Sequence, residues 1–429
     1  MTQFIIFFLI VFLILAIGCS YIGWRLIAPA KLGRKWKLLA WTSLILLALL
    51  PPLTISLEIS GYEDWSDRLS WVSYVSIGFL SFLFTILVIR DVAWLVANAF
   101  RKVFALFKGS ERHVESLNDP PDPGRRNMLI QTMNLGIIGA AAGLTAYGVF
   151  EARRRPAIKE IDISIKDLPE ELNGFRIVQI TDIHAGLTIK RDFIETIVGM
   201  VNELRADVIA FTGDMVDGSV EHLRNDVEPF SRMKSKYGTY FVTGNHEYYS
   251  GVEQWVEEAG RLGMKVLLNS NEVLKIGDSN ILFAGVTDTS GGGFLKSHIS
   301  NPAASIANAP QSDVKILLAH QPKSVHDASP LGFDLQISGH THGGQFFPWN
   351  FAAALSQPYI SGLHDHDGTW IYVSKGTGYW GPPVRLGTRS EITVFTLVRD
   401  VKVAEEGGGG GARKKPGKGP LQNKKGGGF

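Results

Sequence analysis

Cysteine is almost missing from this chain: Cys19 is the only one in 429 residues. A single thiol excludes an intramolecular disulfide and a thiolate metal cage, so any metal site must be built from histidine and carboxylate. Net charge is nearly missing too. The 43 lysines and arginines stand against 41 aspartates and glutamates, which gives no overall pull toward nucleic acid. No basic stripe with interleaved aromatics is present, so a nucleic-acid partner is not expected. Polar residues are scarce in one further place. Hydrophobic residues make up an ordinary 45% of the chain, but their excess lies before residue 150, and the first run there has no polar residues at helical spacing.

Four apolar runs, residues 4–27, 38–59, 71–100 and 128–150, each approach or exceed the roughly 20 residues that a helix needs to cross a bilayer. The fourth is rich in small residues, Gly136, Gly139, Ala140, Ala141, Ala142 and Gly143, which suit close helix packing in lipid. Arg25, Lys31, Arg34, Lys35 and Lys37 place the first loop in the cytoplasm. Glu58, Glu63, Asp64 and Asp67 place the second outside. Arg101, Lys102, Lys108, Arg112, Arg125 and Arg126 place the third inside again. The expectation is a four-helix transmembrane region (1–150) in the plasma (inner) membrane, with the following domain on the extracytoplasmic side. Arg153, Arg154 and Arg155 oppose that side, and a fourth run that does not cross would leave the domain cytoplasmic. Arg125-Arg126-Asn127-Met128-Leu129 also resembles a twin-arginine export signal, as well as ordinary positive-inside arginines. Residues 104–127, with Pro120, Pro121 and Pro123, read as a loop. The tail 404–429, with Gly407–Gly411 and a run of lysines, cannot bury a core and reads as disordered.

Residues 151–403 alternate short apolar runs with longer amphipathic ones, the pattern of an α/β domain. Five of the short runs end in a polar cluster. They lead into Asp182-Ile183-His184, Gly213-Asp214-Met215-Val216-Asp217, Gly244-Asn245-His246-Glu247, His320-Gln321-Pro322 and Gly339-His340-Thr341-His342-Gly343-Gly344. Open α/β sheets bind ligands beyond the carboxyl ends of their strands, so five distant clusters can meet in one crevice. Carboxylates with neutral imidazoles suit Mn, Fe or Zn better than Ca or Mg.

These five blocks, in this order, resemble the signature of the calcineurin-like metallophosphoesterases over about residues 172–400. Ala319-His320-Gln321-Pro322 and the segment Gly376–Arg385 further resemble the family's bacterial membrane-associated branch. The resemblance implies a four-layer α/β sandwich of two mixed sheets flanked by helices, preceded by the all-α transmembrane region. It implies a metal-dependent phosphoric ester hydrolase with two divalent ions. One would be held by Asp182, His184, Asp214 and His342, the other by Asp214, Asn245, His320 and His340, with Asp214 as the bridge. His246 would touch the phosphoryl group, and Asp217 would orient His246 or a neighbouring ligand. Arg385 is a candidate phosphate-binding side chain, as is Asn245.

A domain anchored by four spans suggests a phosphate-ester substrate that is itself lipid-linked. A nuclease and a metal-binding membrane scaffold or sensor without turnover are the alternatives. Trp349, Phe346 and Phe347 could line an acyl groove or pack into the core. His364-Asp365-His366-Asp367 reads as an exposed loop rather than a ligand set, and the segments 291–293 and 381–383 read as loops at the rim of the site.

Overall fold

In the computed structural model the described residues are 2–107 and 122–399. The tail 404–429 and most of the expected Pro-rich loop lie outside them. Four helices come first: α1 (Thr2–Leu26), α2 (Arg34–Ile59), α3 (Glu63–Phe107) and α4 (Pro123–Arg153). Among the described residues, three of them, over 34–57, 64–104 and 124–153, are long and apolar enough to cross a membrane. The described apolar part of α1, Phe12–Leu26, is shorter.

The helix α2 continues through Pro51 and Pro52. Pro51 has no N–H for the carbonyl of Leu47, four residues back. Ser76 of α3 donates to that carbonyl at 3.1 Å, so the neighbouring helix supplies the missing bond. The helix α3 is longer than the predicted 71–100 at both ends, and the charges in its interior are paired. Asp91 accepts from Tyr21 at 2.5 Å and pairs with Arg25 at 2.6 Å and Arg90 at 2.8 Å. Within α3, residues 69–89 contain no charged side chain.

The remaining chain forms two six-stranded sheets. The first runs β1 (Ala157–Ile165), β12 (Glu391–Arg399), β2 (Arg176–Ile180), β3 (Val208–Phe211), β4 (Thr239–Phe241), β5 (Met264–Val266). The second runs β10 (Gly362–His366), β11 (Thr369–Val373), β9 (Leu335–Ser338), β8 (Val314–Leu318), β7 (Ser279–Gly285), β6 (Ser270–Ile276). In each sheet the central strands are parallel, β2 to β5 in one and β7, β8, β9 and β11 in the other, with antiparallel neighbours outside them. These strands read as continuous apolar runs because both faces are buried. Ile177, Val208, Ala210, Tyr240, Phe283, Ile316 and Ile337 fill the space between the sheets. The outer face of the first sheet is covered by α5 (Arg191–Glu203), α6 (Val220–Val227) and α8 (Val252–Arg261), with α7 (Asn245–Tyr249) between them in the chain. In α5 the buried Phe193, Ile194, Ile197, Val198 and Val201 recur at helical spacing and form its inward stripe. The four-layer expectation is met.

The His364–Asp367 segment is not a free loop. Residues Gly362–His366 pair with β11 as an edge strand, and Asp367 sits in the turn that follows.

The sheets dock on α3 and α4. Lys190 pairs with Asp67 at 3.0 Å, Ser70 donates to the carbonyl of Leu187 at 3.0 Å, and Arg153 pairs with Asp192 at 3.1 Å. Val384 is wedged between Gly78 and Gly148. A Cβ on either glycine would lie within 2.8 Å of its methyl groups. Phe346 is buried against Phe82, with ring centroids 5.5 Å apart.

Candidate metal centre

Each of the five polar clusters sits where its strand ends. The strands β2, β3 and β4 of one sheet and β8 and β9 of the other deliver them to the same edge of the sandwich. The loops are laced together by main-chain bonds: Asp182 N–H to the Gly213 carbonyl at 3.0 Å, His184 N–H to Asp214 at 3.1 Å, and Gly339 N–H to His320 at 2.9 Å. Five of the polar residues carry left-handed backbone, with φ of 54° at Asp182, 54° at His184, 52° at Asp214, 74° at His340 and 51° at His342. Non-glycine residues in this region are strained by about 1–3 kcal/mol each and concentrate at functional sites. Glycines flank them where nothing larger fits: a Cβ on Gly244 would collide with the Asp214 carboxylate, and one on Gly339 with that of Asp182.

The side chains form two adjoining clusters, Asp182 with His184 and His342, and Asp214 with His320 and His340. In the first, His184 Nε2 faces His342 Nε2 at 3.1 Å. In the second, His340 Nδ1 faces His320 Nε2 at 3.2 Å. Asp214 Oδ2 lies between the clusters, 3.0 Å from His320 Nε2 and 3.7 Å from His184 Nε2. His184 Nδ1 is taken by Asp217 at 3.1 Å and His320 Nδ1 by the Thr212 carbonyl at 2.8 Å. Those bonds fix the tautomers and leave both Nε2 lone pairs aimed inward. Two imidazole nitrogens this close need a proton or a cation between them, and a divalent cation can take that place. Asn245 adds a buried Oδ1 without a hydrogen-bond partner. The donor set therefore fits a divalent metal.

Asp217 and His246 form a different unit. Asp217 Oδ1 accepts from His246 Nδ1 at 2.5 Å and from His184 Nδ1 at 3.1 Å. All three could be drawn as a third metal group. Because the two imidazole Nδ1 atoms share one carboxylate oxygen, a hydrogen-bonded relay describes them better. The His246 ring lies edge-on to Trp380 (5.5 Å) and Tyr249 (5.1 Å), and Phe294 packs on Tyr249 at 5.8 Å. The loop holding Trp380 and the turn holding Phe294 thus stand at the rim.

The charges are divided unequally. Burial pulls the His246 pKa down, but the carboxylates of Asp217 and Asp214 outweigh it and hold it at about 9. Burial works to raise Asp217, yet His184 and His246 keep it well below the usual carboxylate range. Asp214 is held far below that range against burial by His320, which is itself held well above the usual histidine value by Asp214. Its neighbour His340 is driven to about 3 by burial and by the charge on His320, and His342 is driven down by burial and His184. Facing imidazoles cannot both hold protons.

Two residues differ from the sequence reading. Arg385, a candidate phosphate-binding side chain, is not on the surface of the site. It is fully buried, and its guanidinium donates to the carbonyls of Gly378, Lys375 and Thr388, with Nη2 3.1 Å from His342 Nδ1. Its role is to hold the loop behind His342. Glu247 was left without a role. Its carboxylate accepts from the N–H groups of Asp214 (3.0 Å), Met215 (2.7 Å) and Gly244 (2.6 Å), tying two metal-side loops together. The available signal was an acidic residue three positions after Gly244, which returns to the N-cap N–H as the acid of a capping box does. Asp288 was also missed. It accepts from Gln321 at 3.0 Å and so steadies the loop after His320.

A fold of two mixed sheets with this donor set at the strand ends defines a metal-dependent hydrolase of the metallophosphatase type. The family model for calcineurin-like phosphoesterase matches residues 175–344. A "transmembrane protein with metallophosphoesterase domain" from Danio rerio is 32% identical over 412 residues, covering 91% of this chain and 89% of that protein. An "uncharacterized metallophosphoesterase" of Helicobacter pylori (strain J99) is 37% identical over 303 residues, covering 69% of this chain and 78% of that protein. The chain belongs to the calcineurin-like metallophosphoesterases, and it is a phosphoric ester hydrolase.

Proposed function

We propose that this chain is a membrane-anchored binuclear phosphoesterase that cleaves a lipid-linked phosphate ester or diphosphate. The observation that carries it is the pair of facing imidazoles, His184 with His342 and His340 with His320, joined by Asp214. One ion would be held by Asp182, His184, Asp214 and His342, the other by Asp214, Asn245, His320 and His340. Ions of the Mn, Fe or Zn type would supply Lewis acidity toward the phosphoryl oxygens and acidify a water enough to attack near neutral pH.

The chain's own groups do the rest. Asp217 accepts the Nδ1–H of His246 and leaves Nε2 as the nitrogen that gives a proton to the departing oxygen. The same carboxylate turns the His184 lone pair inward. Trp380 and Tyr249 flank His246 and shield it from bulk water. The long apolar helices and a relative whose name includes "transmembrane" support the anchor. The basic residues before α2 and at the start of α4 support an extracytoplasmic domain in the plasma membrane.

The test is turnover of an aryl phosphodiester by the purified protein with Mn²⁺. His246→Ala is expected to lower kcat by about 10²–10⁴-fold, the usual contribution of a general acid, and Asp214→Ala to abolish turnover. Activity surviving both changes overturns the mechanism. Reporter fusions after Lys108 and Val403 test the side of the membrane, and a cytoplasmic signal from the second reverses it.

A further inference from the structure

Immediately after the last metal cluster the chain does something unusual for the surface of a soluble domain. A short helix over Trp349–Ser356 buries none of its side chains. It shows solvent three large apolar groups, Trp349 at 52%, Phe351 at 60% and Leu355 at 91% exposure, with Phe347 beside them. No Asp, Glu, Lys or Arg occurs between Asp334 and Asp365. Phe347, Phe351 and Leu355 follow one another at four-residue spacing, with the first two rings 5.7 Å apart, and exposed apolar surface of this kind marks a contact with another apolar phase.

The position of the helix says which phase. Phe346, three residues before Trp349, is packed on Phe82 of α3. Val384, in the uncharged segment that follows Trp380, is seated between Gly78 of α3 and Gly148 of α4. Gly78 and Phe82 both lie well inside the uncharged stretch 69–89 of α3. The face of the domain that carries the metal centre is thus drawn down alongside a segment built for hydrocarbon, and the helix continues from that contact.

We infer that Trp349–Ser356 is an interfacial helix that lies in the headgroup and upper acyl region of the bilayer, holding the mouth of the metal centre at the level of lipid phosphates. The inference rests on the membrane-anchored reading above and adds to it a specific docking surface. Tryptophan at the start of an uncharged apolar helix suits this zone, where one edge of the ring is wet and the other is not. The rim aromatics Trp380, Tyr249 and Phe294, all exposed, then stand between the lipid surface and His246.

The experiment uses the full chain in phosphatidylcholine nanodiscs. Because Cys19 is the only cysteine, a Cys19→Ser background accepts a single polarity-sensitive dye at Leu355→Cys. A control dye goes at Asp278→Cys, exposed in the turn before β7 and therefore at the opposite end of the strands. The expected result is that nitroxide-labelled lipid quenches the dye at 355 and leaves the dye at 278 untouched, while aqueous iodide does the reverse. Quenching at 355 by iodide alone places the helix in water and overturns the proposal. Shielding from both quenchers places it against a protein partner or a second copy and also overturns it. A chain that stays out of the discs overturns both this inference and the anchored reading. Failure of soluble-ester turnover overturns the enzyme reading alone, because the dye reports position without activity.

A second measurement asks what the helix is for. The combined Trp349→Ser, Phe351→Ser and Leu355→Ser variant is expected to lose at least about tenfold in turnover of phosphatidic acid in vesicles while keeping its rate on a soluble aryl phosphodiester. An equal rate on vesicles before and after the change contradicts a docking role.

Discussion

At the scale of single residues, the site is a contest between burial and charge that Asp217 decides. It is bonded to both His184 and His246, so its replacement reaches the proposed metal ligand and the proposed proton donor together. Asp217→Asn is expected to lower kcat by about 10–100-fold, the usual cost of losing a partner behind a ligand. The sign of the pH effect follows from His246. Its pKa is held at about 9, above the ordinary 6.5. The protonated donor, and the stability it contributes, are complete below about 6.5 and are lost as pH rises through 9. Removing the Asp217 charge lowers that upper limit, so the alkaline limb of the rate profile is expected to move to lower pH. A limb that stays in place shows that His246 does not donate the proton. Asn245 gives an independent check. If its orphaned Oδ1 is a ligand, Asn245→Ala lowers the bound divalent metal by about one ion per chain, measured by elemental analysis after desalting.

At the scale of elements, the strands position the ligands and the loops between them are held by groups that no motif names. Glu247 satisfies three backbone N–H groups from two loops. Glu247→Gln keeps one acceptor oxygen and turns an N–H₂ toward donors, which is expected to cost about 1–3 kcal/mol, read as a lower unfolding midpoint of the metal-free protein. An unchanged midpoint means the loops do not need this tie. Burial and the charge of Asp214 raise the Glu247 pKa to about 7. With that carboxyl protonated more readily in the fold than in the unfolded chain, its contribution is complete below about 4.5 and fades as pH rises through 7.

The five strand ends were legible because each is followed by a polar cluster whose residue types are unusual next to an apolar run. The groups packed behind those clusters were not. Arg385 looks from sequence like a free cation beside prolines, and only the packing of its loop behind His342 shows that its donors are used by carbonyls. How α3 tolerates charge in its interior was hidden for a different reason. Asp91 lies within the apolar run 71–100, and its partners Arg25 and Tyr21 come from a helix far away in sequence. The edge strand at Gly362–His366 was missed because its histidines and aspartates carry no apolar alternation, and it forms only because β11 offers it a free edge.

At the scale of the whole molecule, the apolar helices and the metal centre are mechanically joined. The main chain of Arg385 donates to the Gly148 carbonyl of α4 at 3.0 Å, while its side chain reaches His342. Between them, Val384 fills the space over Gly78 and Gly148. Gly148→Leu has no room for its side chain unless that loop moves. It is expected to reduce soluble-ester turnover by at least about tenfold, the size of effect seen when support behind a ligand is lost, with the unfolding midpoint of the two-sheet domain changed little. Full activity in this variant means the domain works independently of its helices.

In the proposed mechanism two facing imidazole pairs, bridged by Asp214, bind two ions that the reaction needs. The most direct measurement is calorimetric titration of the metal-stripped, full-length protein with Mn²⁺, paired with turnover at each added equivalent. Saturation is expected at about two ions per chain, with activity that appears only as the second site fills, and with loss of both in Asp214→Ala. Saturation at a single ion with full activity, or an active Asp214→Ala variant, would contradict it.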